Sequence, residues 1–298
     1  MLCAISDRPT PTLTDRDLAS LRLLAELLHD LQRRALSVHD AAQEQQRLRF
    51  VLGAVIGGKG RHPVLQPIVD LSSGQAVGAE GLTRFTLPSP VRTPGGAGAE
   101  MRSPAQWFDD AGRLGLRTEL EVAAASSVLD LLHGGSLPDR MPITVNLAPE
   151  TMLSPEVKAL LDGRDLSRVV VELTEHAPVI DYDRLGAALL PYRERGMRVA
   201  VDDAGAGYSS LRHVLALKPD MMKVDMALTR GADSDLARRT LITGLIRFAA
   251  TIDCELVAEG VETEPELHAL AGCGVQMAQG FLFGEPCTEP RWSGFRGL

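Results

Sequence analysis

Apolar residues recur at alternating three- and four-residue steps through Leu21, Leu24, Leu28, Leu31, Ala35, Val38 and Ala42, the seam of a long amphipathic helix. Thr14 and Asp17 resemble a capping box at its start. Polar residues follow from Gln43 to Arg49, then an apolar stretch at 50–56, and Gly57, Gly58 and Gly60 break the helix. The pattern divides the chain into a helical segment 1–56, a Gly-rich linker 57–61, a body 62–290 and a tail 291–298.

From residue 62 the periodicity changes. Short β-rich runs at 64–71, 76–85, 142–147, 169–173, 198–201, 221–224, 255–258 and 275–279 alternate with helical patterns at 104–113, 118–133, 155–162, 183–195, 208–216, 235–252 and 264–272. This alternation predicts an α/β fold, a (β/α)8 TIM-like barrel preceded by the N-terminal helix. Ser72, Ser73 and Gly74 join the first two runs as a hairpin, so one barrel strand is expected to run antiparallel. The Gly/Pro-rich run 87–99 reads as a loop insertion.

Composition narrows the picture. The 298 residues are 45% hydrophobic and 23% charged, and no apolar run reaches the length of a membrane span, so membrane insertion is not expected. With 31 basic and 39 acidic residues the net charge is −8, which disfavours polymeric nucleic acid as a partner. A phosphate ester would need metal ions or a few well-placed cations to approach such a protein. Cys3, Cys254, Cys273 and Cys287 form no C-x-x-C pair and read as reduced thiols of a cytoplasmic protein. The first thirty residues carry Asp7, Asp15, Asp17 and Asp30 and show no secretion signal. The seven histidines have no metal-ligand spacing, so a bound metal is expected on oxygen. The pairs His29-Asp30 and His39-Asp40 suggest a His-Asp phosphohydrolase, but they lie on the helix without that site's other ligands.

Barrel active sites are built at the C-terminal strand ends. Here those ends bring Glu80, Asn146, Glu172, Asp202-Asp203, Lys223, Glu259 and Gln279 to one face. Each alone has a structural use: an aspartate caps a helix, Asn146 satisfies a turn, Lys223 snorkels. Together, five converging carboxylates repel unless they are protonated or bind metal, and oxygen donors suit Mg²⁺ or Mn²⁺. Gly205 to Ser210 imitates a dinucleotide loop, but Ser210 replaces its third glycine and two aspartates precede it. Lys223 also admits a Schiff-base aldolase, which leaves the acidic cluster without a purpose.

The motifs then become specific. Gln66-Pro67-Ile68-Val69-Asp70, Glu80-Gly81-Leu82-Thr83-Arg84, Val145-Asn146-Leu147, Glu172-Leu173-Thr174-Glu175, Asp202-Asp203-Ala204-Gly205-Ala206-Gly207, Lys223-Val224-Asp225, Glu259-Gly260-Val261-Glu262 and Gln279-Gly280-Phe281 occur in this order. They resemble the EAL-domain cyclic-di-GMP phosphodiesterase family over roughly 62–290. The naming tripeptide has Gly81 where the family has alanine, at a strand cost of about 0.5–1 kcal/mol. Ala204 and Ala206 stand where phenylalanine and threonine are common. None of these departures removes a ligand atom.

The resemblance implies that Glu80, Asn146, Glu172, Asp202 and Glu259 surround one divalent cation, with Asp202 bridging to a second held partly by Asp203. It implies Mg²⁺ or Mn²⁺ as activators and Ca²⁺ as an inhibitor. Lys223 would orient a water or stabilise charge on phosphate, with Gln279 near that water and the substrate. Arg84 and Gln66 would contact phosphate and guanine, with the backbone at Leu82 assisting. Glu175 would steady the loop after the fifth strand. The activity implied is hydrolysis of cyclic di-GMP to 5′-pGpG, and the rival is a receptor that binds without hydrolysis. Family receptors typically lose metal or loop residues, which this chain keeps. A scaffold acting through its helix alone is a third class. Leu2 to Ser6, with the helix from Leu13 to Leu28, resembles the last strand and helix of a GAF domain, a remnant read as a retained signalling helix, a shortened chain or a displaced start. The apolar seam predicts a homodimer, the helix either forming a parallel coiled coil between protomers or folding back on its own barrel, and the resemblance implies pairing of barrels near the fifth and sixth strands as a further route.

Overall fold

The computed structural model describes residues 15–87, 102–134, 137–174, 181–205 and 208–295. The chain divides into two compact units, Met1–Val51 and Leu52–Leu298. The first contains most of α1 (Asp15–Ile56), one helix that continues without a break through the polar stretch after Gln43. Leu24 and Leu28 of the seam leave half their surface in water, at 51% and 50% exposure. The GAF-like strand and the capping Thr14 lie outside the described residues.

The second unit begins with the last turn of α1, whose Leu52 and Val55 are buried. It continues as β1 (Arg61–Asp70), β2 (Gln75–Phe85), α2 (Pro104–Leu114), α3 (Arg117–Asp130), β3 (Ile143–Leu147), α4 (Pro149–Met152), α5 (Pro155–Leu161), β4 (Val169–Leu173) and α6 (Tyr182–Arg193). Then come β5 (Arg198–Ala204), α7 (Tyr208–Leu217), β6 (Met221–Val224), α8 (Met226–Thr229), α9 (Leu236–Thr251), β7 (Glu255–Ala258), α10 (Glu264–Cys273) and β8 (Met277–Ala278). The strands close into a barrel in sequence order. The antiparallel strand is β1, which opposes both β2 and β8, while the other pairs are parallel.

Three departures from the sequence pattern have physical causes. The one-turn helices α4 and α8 are too short to display a helical period. Strand β5 runs past residue 201 to Ala204 through a register shift that contains both Asp202 and Asp203. The glycines read as a linker form a bonded turn: Gly57 and Lys59 donate to Gly53 and Ala54, and Thr86 donates to Gly60. Arg61 secures that turn by donating to the carbonyls of Val55 and Ile56 and to Ser127 on α3.

Alternation along the strands sorts the barrel interior into layers. Ile68, Val170, Ala200, Met221 and Val257, with Met277 against them, form an apolar floor. Two residues nearer the mouth stand Gln66, Glu172, Asp202 and Lys223 on these strands, with Glu259 and Gln279 one residue past the ends of β7 and β8. Outward residues such as Val171, Leu173 and Val201 pack beneath the surrounding helices. The chemistry therefore rests on an apolar base toward the C-terminal rim.

Candidate active site

Register brings the expected side chains together. Glu80 pairs across from Gln66 on β1, and Asn146 across from Glu172 on β4. Lys223 is 1% exposed, and its Nζ lies 3.1 Å from Glu80 Oε2, 2.8 Å from Glu172 Oε1 and 2.6 Å from Glu259 Oε1. Asn146 Nδ2 donates to the other oxygen of Glu80 at 3.0 Å. Gln279 Nε2 donates to Glu80 Oε2 at 2.5 Å and to Gln66 Oε1 at 2.8 Å.

The electrostatics follow from burial and charge. Burial would push Lys223 down, but Glu172, Glu259, Glu80 and Asp202 outweigh it and hold the ammonium well above its ordinary value. An ammonium paired at 2.6–3.1 Å with three carboxylates is poorly placed to attack a carbonyl, so the geometry gives the aldolase reading no support. Glu172, buried and facing three other carboxylates, lies well above the carboxylate range despite Lys223. Glu259 rises to about 7, from burial first and then from Asp202 and Glu80. Glu80 sits below its ordinary value, because Lys223 and the amides of Gln279 and Asn146 overcome its burial.

Oxygen atoms of Glu172, Asp202 and Glu259 lie within 4.8 Å of one another, close enough for a single ion. Glu172 Oε2 is buried without a hydrogen-bond partner. Glu80, Glu172, Asp202, Asp203 and Glu259 carry five negative charges when ionised, and Lys223 returns one. An all-oxygen set with this imbalance fits hard divalent cations. Asp203 stands at the bulge in a left-handed conformation, φ 54°, which aspartate tolerates, and its amide donates to Asp202 Oδ1 at 2.8 Å. Burial, then the neighbouring Asp202 and Asp225, push its carboxyl up to about 8.

Leu82 and Arg84 stand farther out along β2, half-buried and exposed respectively. Glu175 lies outside the described residues, as do Ala206 and Gly207. Sequence reasoning missed two supports. Glu121 on α3 accepts from the Ala148 amide at 2.9 Å, just beyond Asn146. The fully buried Thr229 donates its hydroxyl to the main-chain oxygen of Glu259. Nothing in their local sequence marks either contact.

The fold and this chamber define a (β/α)8-type barrel with a carboxylate-lined chamber at its C-terminal mouth, three of whose acids lie close enough together to hold an ion. The model of the EAL domain matches residues 51–286, and the chain belongs to that family. It is 31% identical over 255 residues to cyclic di-GMP phosphodiesterase PA2567 of Pseudomonas aeruginosa, covering 82% of this chain and 42% of that protein. It is 27% identical over 232 residues to cyclic di-GMP phosphodiesterase PdeL of Escherichia coli, covering 75% of this chain and 62% of that one. The chain thus spans less than half of PA2567. Klebsiella pneumoniae BlrP1, solved with cyclic di-GMP and manganese or calcium, superposes with a TM-score of 0.67 at 28% identity, covering 80% of this chain and 60% of that one.

Proposed function

We propose that this chain is a metal-dependent phosphodiesterase that hydrolyses cyclic di-GMP to 5′-pGpG. The observation that carries the reading is the convergence of Glu172, Asp202 and Glu259 within 4.8 Å around a buried lysine, in a family whose relatives bear that activity in their names. Glu80, Asn146, Glu172, Asp202 and Glu259 would hold one ion, Asp202 and Asp203 a second. Mg²⁺ or Mn²⁺ would be the activating ions and Ca²⁺ inhibitory. Bound there, such ions polarise a phosphodiester and lower the pKa of water.

The protein's own groups supply the rest. Lys223, fixed by three carboxylates, presents a permanent positive charge to the phosphate or its attacking water. Arg84 at the rim pairs with no carboxylate among the described residues, which leaves its guanidinium for a phosphate oxygen. Glu175 would steady the loop that carries Asp203. Hydrolysis adds water across one of the two phosphodiester links, freeing a 3′-hydroxyl and leaving a 5′-phosphate.

Among the described residues no helix is long and apolar enough to cross a membrane. We take the protein to be cytoplasmic and a homodimer that pairs through α1, where the seam residues Leu24 and Leu28 are half exposed. Incubation of purified protein with cyclic di-GMP and Mg²⁺ or Mn²⁺, followed by chromatography, tests the reading. Appearance of 5′-pGpG supports it. Tight binding without product turns it into a receptor.

A further inference from the structure

Glu259 stands one residue beyond the end of β7, where the pairing with β8 stops at Ala258. Its main chain is held by the segment that carries Lys223. The Glu259 amide donates to Val224 O at 3.1 Å, and its carbonyl accepts from the hydroxyl of Thr229 on α8. Gly260 then turns the chain with φ 65°, and a β-carbon there would lie 2.5 Å from the β-carbon of Met226, also on α8. One short helix therefore lines the turn that aims Glu259.

Thr229 is 0% exposed, so its hydroxyl has to find an acceptor inside the protein. Two are in reach: the carbonyl of Met226, three residues back on its own helix at 3.3 Å, and the carbonyl of Glu259, the closer of the two. A hydroxyl carries one hydrogen. The first contact is a local back-bond of the kind helical threonines commonly make. The second spans 30 positions and reaches the main chain of a chamber residue.

Helix α8 is braced without that bond. Asp225 caps its first turn at the Ala227 amide, and beyond its end Gly231 N donates to Glu266 Oε1 at 3.1 Å. The other oxygen of Glu266 accepts the amides of Glu262 and Thr263 at 3.2 and 3.1 Å, which ties the exit of α8 to the exit of β7. Removing the Thr229 hydroxyl therefore releases the Glu259 carbonyl and leaves the helix in place.

We propose that Thr229 is a positioning residue that acts through Glu259: its hydroxyl fixes the main chain from which the Glu259 carboxylate reaches Lys223 at 2.6 Å and comes within 4.8 Å of Glu172 and Asp202, and so tightens the hold of the chamber on a divalent cation. This rests on the phosphodiesterase reading of the same chamber. Valine has the shape of threonine without the donor. The carbonyl it leaves unpaired would turn toward another donor and carry the carboxylate out of line.

The test compares Thr229→Val and Thr229→Ser with the unaltered chain. Mn²⁺ affinity is read without nucleotide, from the paramagnetic resonance of free Mn²⁺, and cyclic di-GMP turnover is followed as Mn²⁺ is raised. Expected for Thr229→Val is Mn²⁺ binding weaker by about tenfold, a turnover curve displaced to higher Mn²⁺ by that factor, and a dinucleotide KM within about twofold once metal saturates. Thr229→Ser keeps the hydroxyl and loses the methyl, and should bind Mn²⁺ within about twofold of the unaltered chain. Thr229→Ala replaces the valine variant if that one fails to fold. Unchanged Mn²⁺ affinity without the hydroxyl, or a serine variant as weak as the valine one, overturns the proposal, and so does an unaltered chain that binds no Mn²⁺. An unaltered chain that binds Mn²⁺ yet turns over nothing sinks the phosphodiesterase reading, and the affinities then decide the role of Thr229 by the same criteria.

Discussion

A β-carbon on Gly81 would lie 2.0 Å from Cγ1 of Val128 on α3 and 3.0 Å from the main-chain oxygen of Thr144. The valine occupies the space that an alanine methyl needs, so the glycine in the naming tripeptide and Val128 are a matched pair. Gly81→Ala should cost about 1–3 kcal/mol by overpacking, measured by urea unfolding. In a Val128→Ala background the 2.0 Å clash is gone and the cost should shrink, leaving the tight approaches to Thr144 O and to the β-carbon of residue 128 at 3.0 and 3.2 Å. Equal costs in both backgrounds would contradict the pairing.

Lys223 is the only cation among the described residues bonded to Glu80, Glu172 and Glu259 together. Lys223→Met should lower kcat by about 10²–10³-fold, the scale for removing one preorganised electrostatic donor. Turnover within a few-fold of the unaltered chain would show that the ammonium serves folding alone.

Asp202 joins the ion-holding group with Glu172 and Glu259 and accepts the amide of Asp203. Asp202→Asn keeps the shape but removes a charge, and should leave no measurable turnover in Mg²⁺. Comparable rates would refute a bridging role.

Asp203 and Glu259, raised to about 8 and about 7, bind protons more tightly folded than unfolded. Their stabilising contribution is complete below the ordinary carboxylate pKa of about 4 and is lost as pH rises through 7 and 8. In chelator the melting temperature should therefore fall between pH 5 and pH 9. Mg²⁺ or Mn²⁺, taking the ionised form, should flatten that slope and bind more tightly across the same window. A chelated protein that grows more stable toward pH 9 would contradict these assignments.

Leu52 and Val55 are 1% and 0% exposed and belong to the barrel unit. Deleting residues 1–57 removes both and should cost about 2–5 kcal/mol, whereas deleting 1–49 should leave barrel stability intact. Light scattering on the shorter deletion checks the seam as well: a monomer is expected, and a persistent dimer would place the contact elsewhere.

Much of the chamber was legible because barrel strands alternate. A polar residue two positions beyond an apolar one, as in Val170 and Glu172 or Val257 and Glu259, announces itself in an otherwise buried run. What stayed hidden depended on contacts that period cannot carry. Gln66 meets Gln279 across 213 positions. Asp203 is aimed by a bulge and a left-handed turn, neither of which leaves a pattern in composition. The fit of Val128 to Gly81 links a helix face to a strand face, and each looks ordinary alone.

Strand β1 runs against its neighbours, so its first residues stand at the rim: Arg61 opposite Phe85 and His62 opposite Arg84. In an all-parallel barrel the chain would arrive beneath the floor. Here whatever is joined to the amino end of β1 is delivered to the doorway, one bonded turn from the arginine assigned to the incoming phosphate.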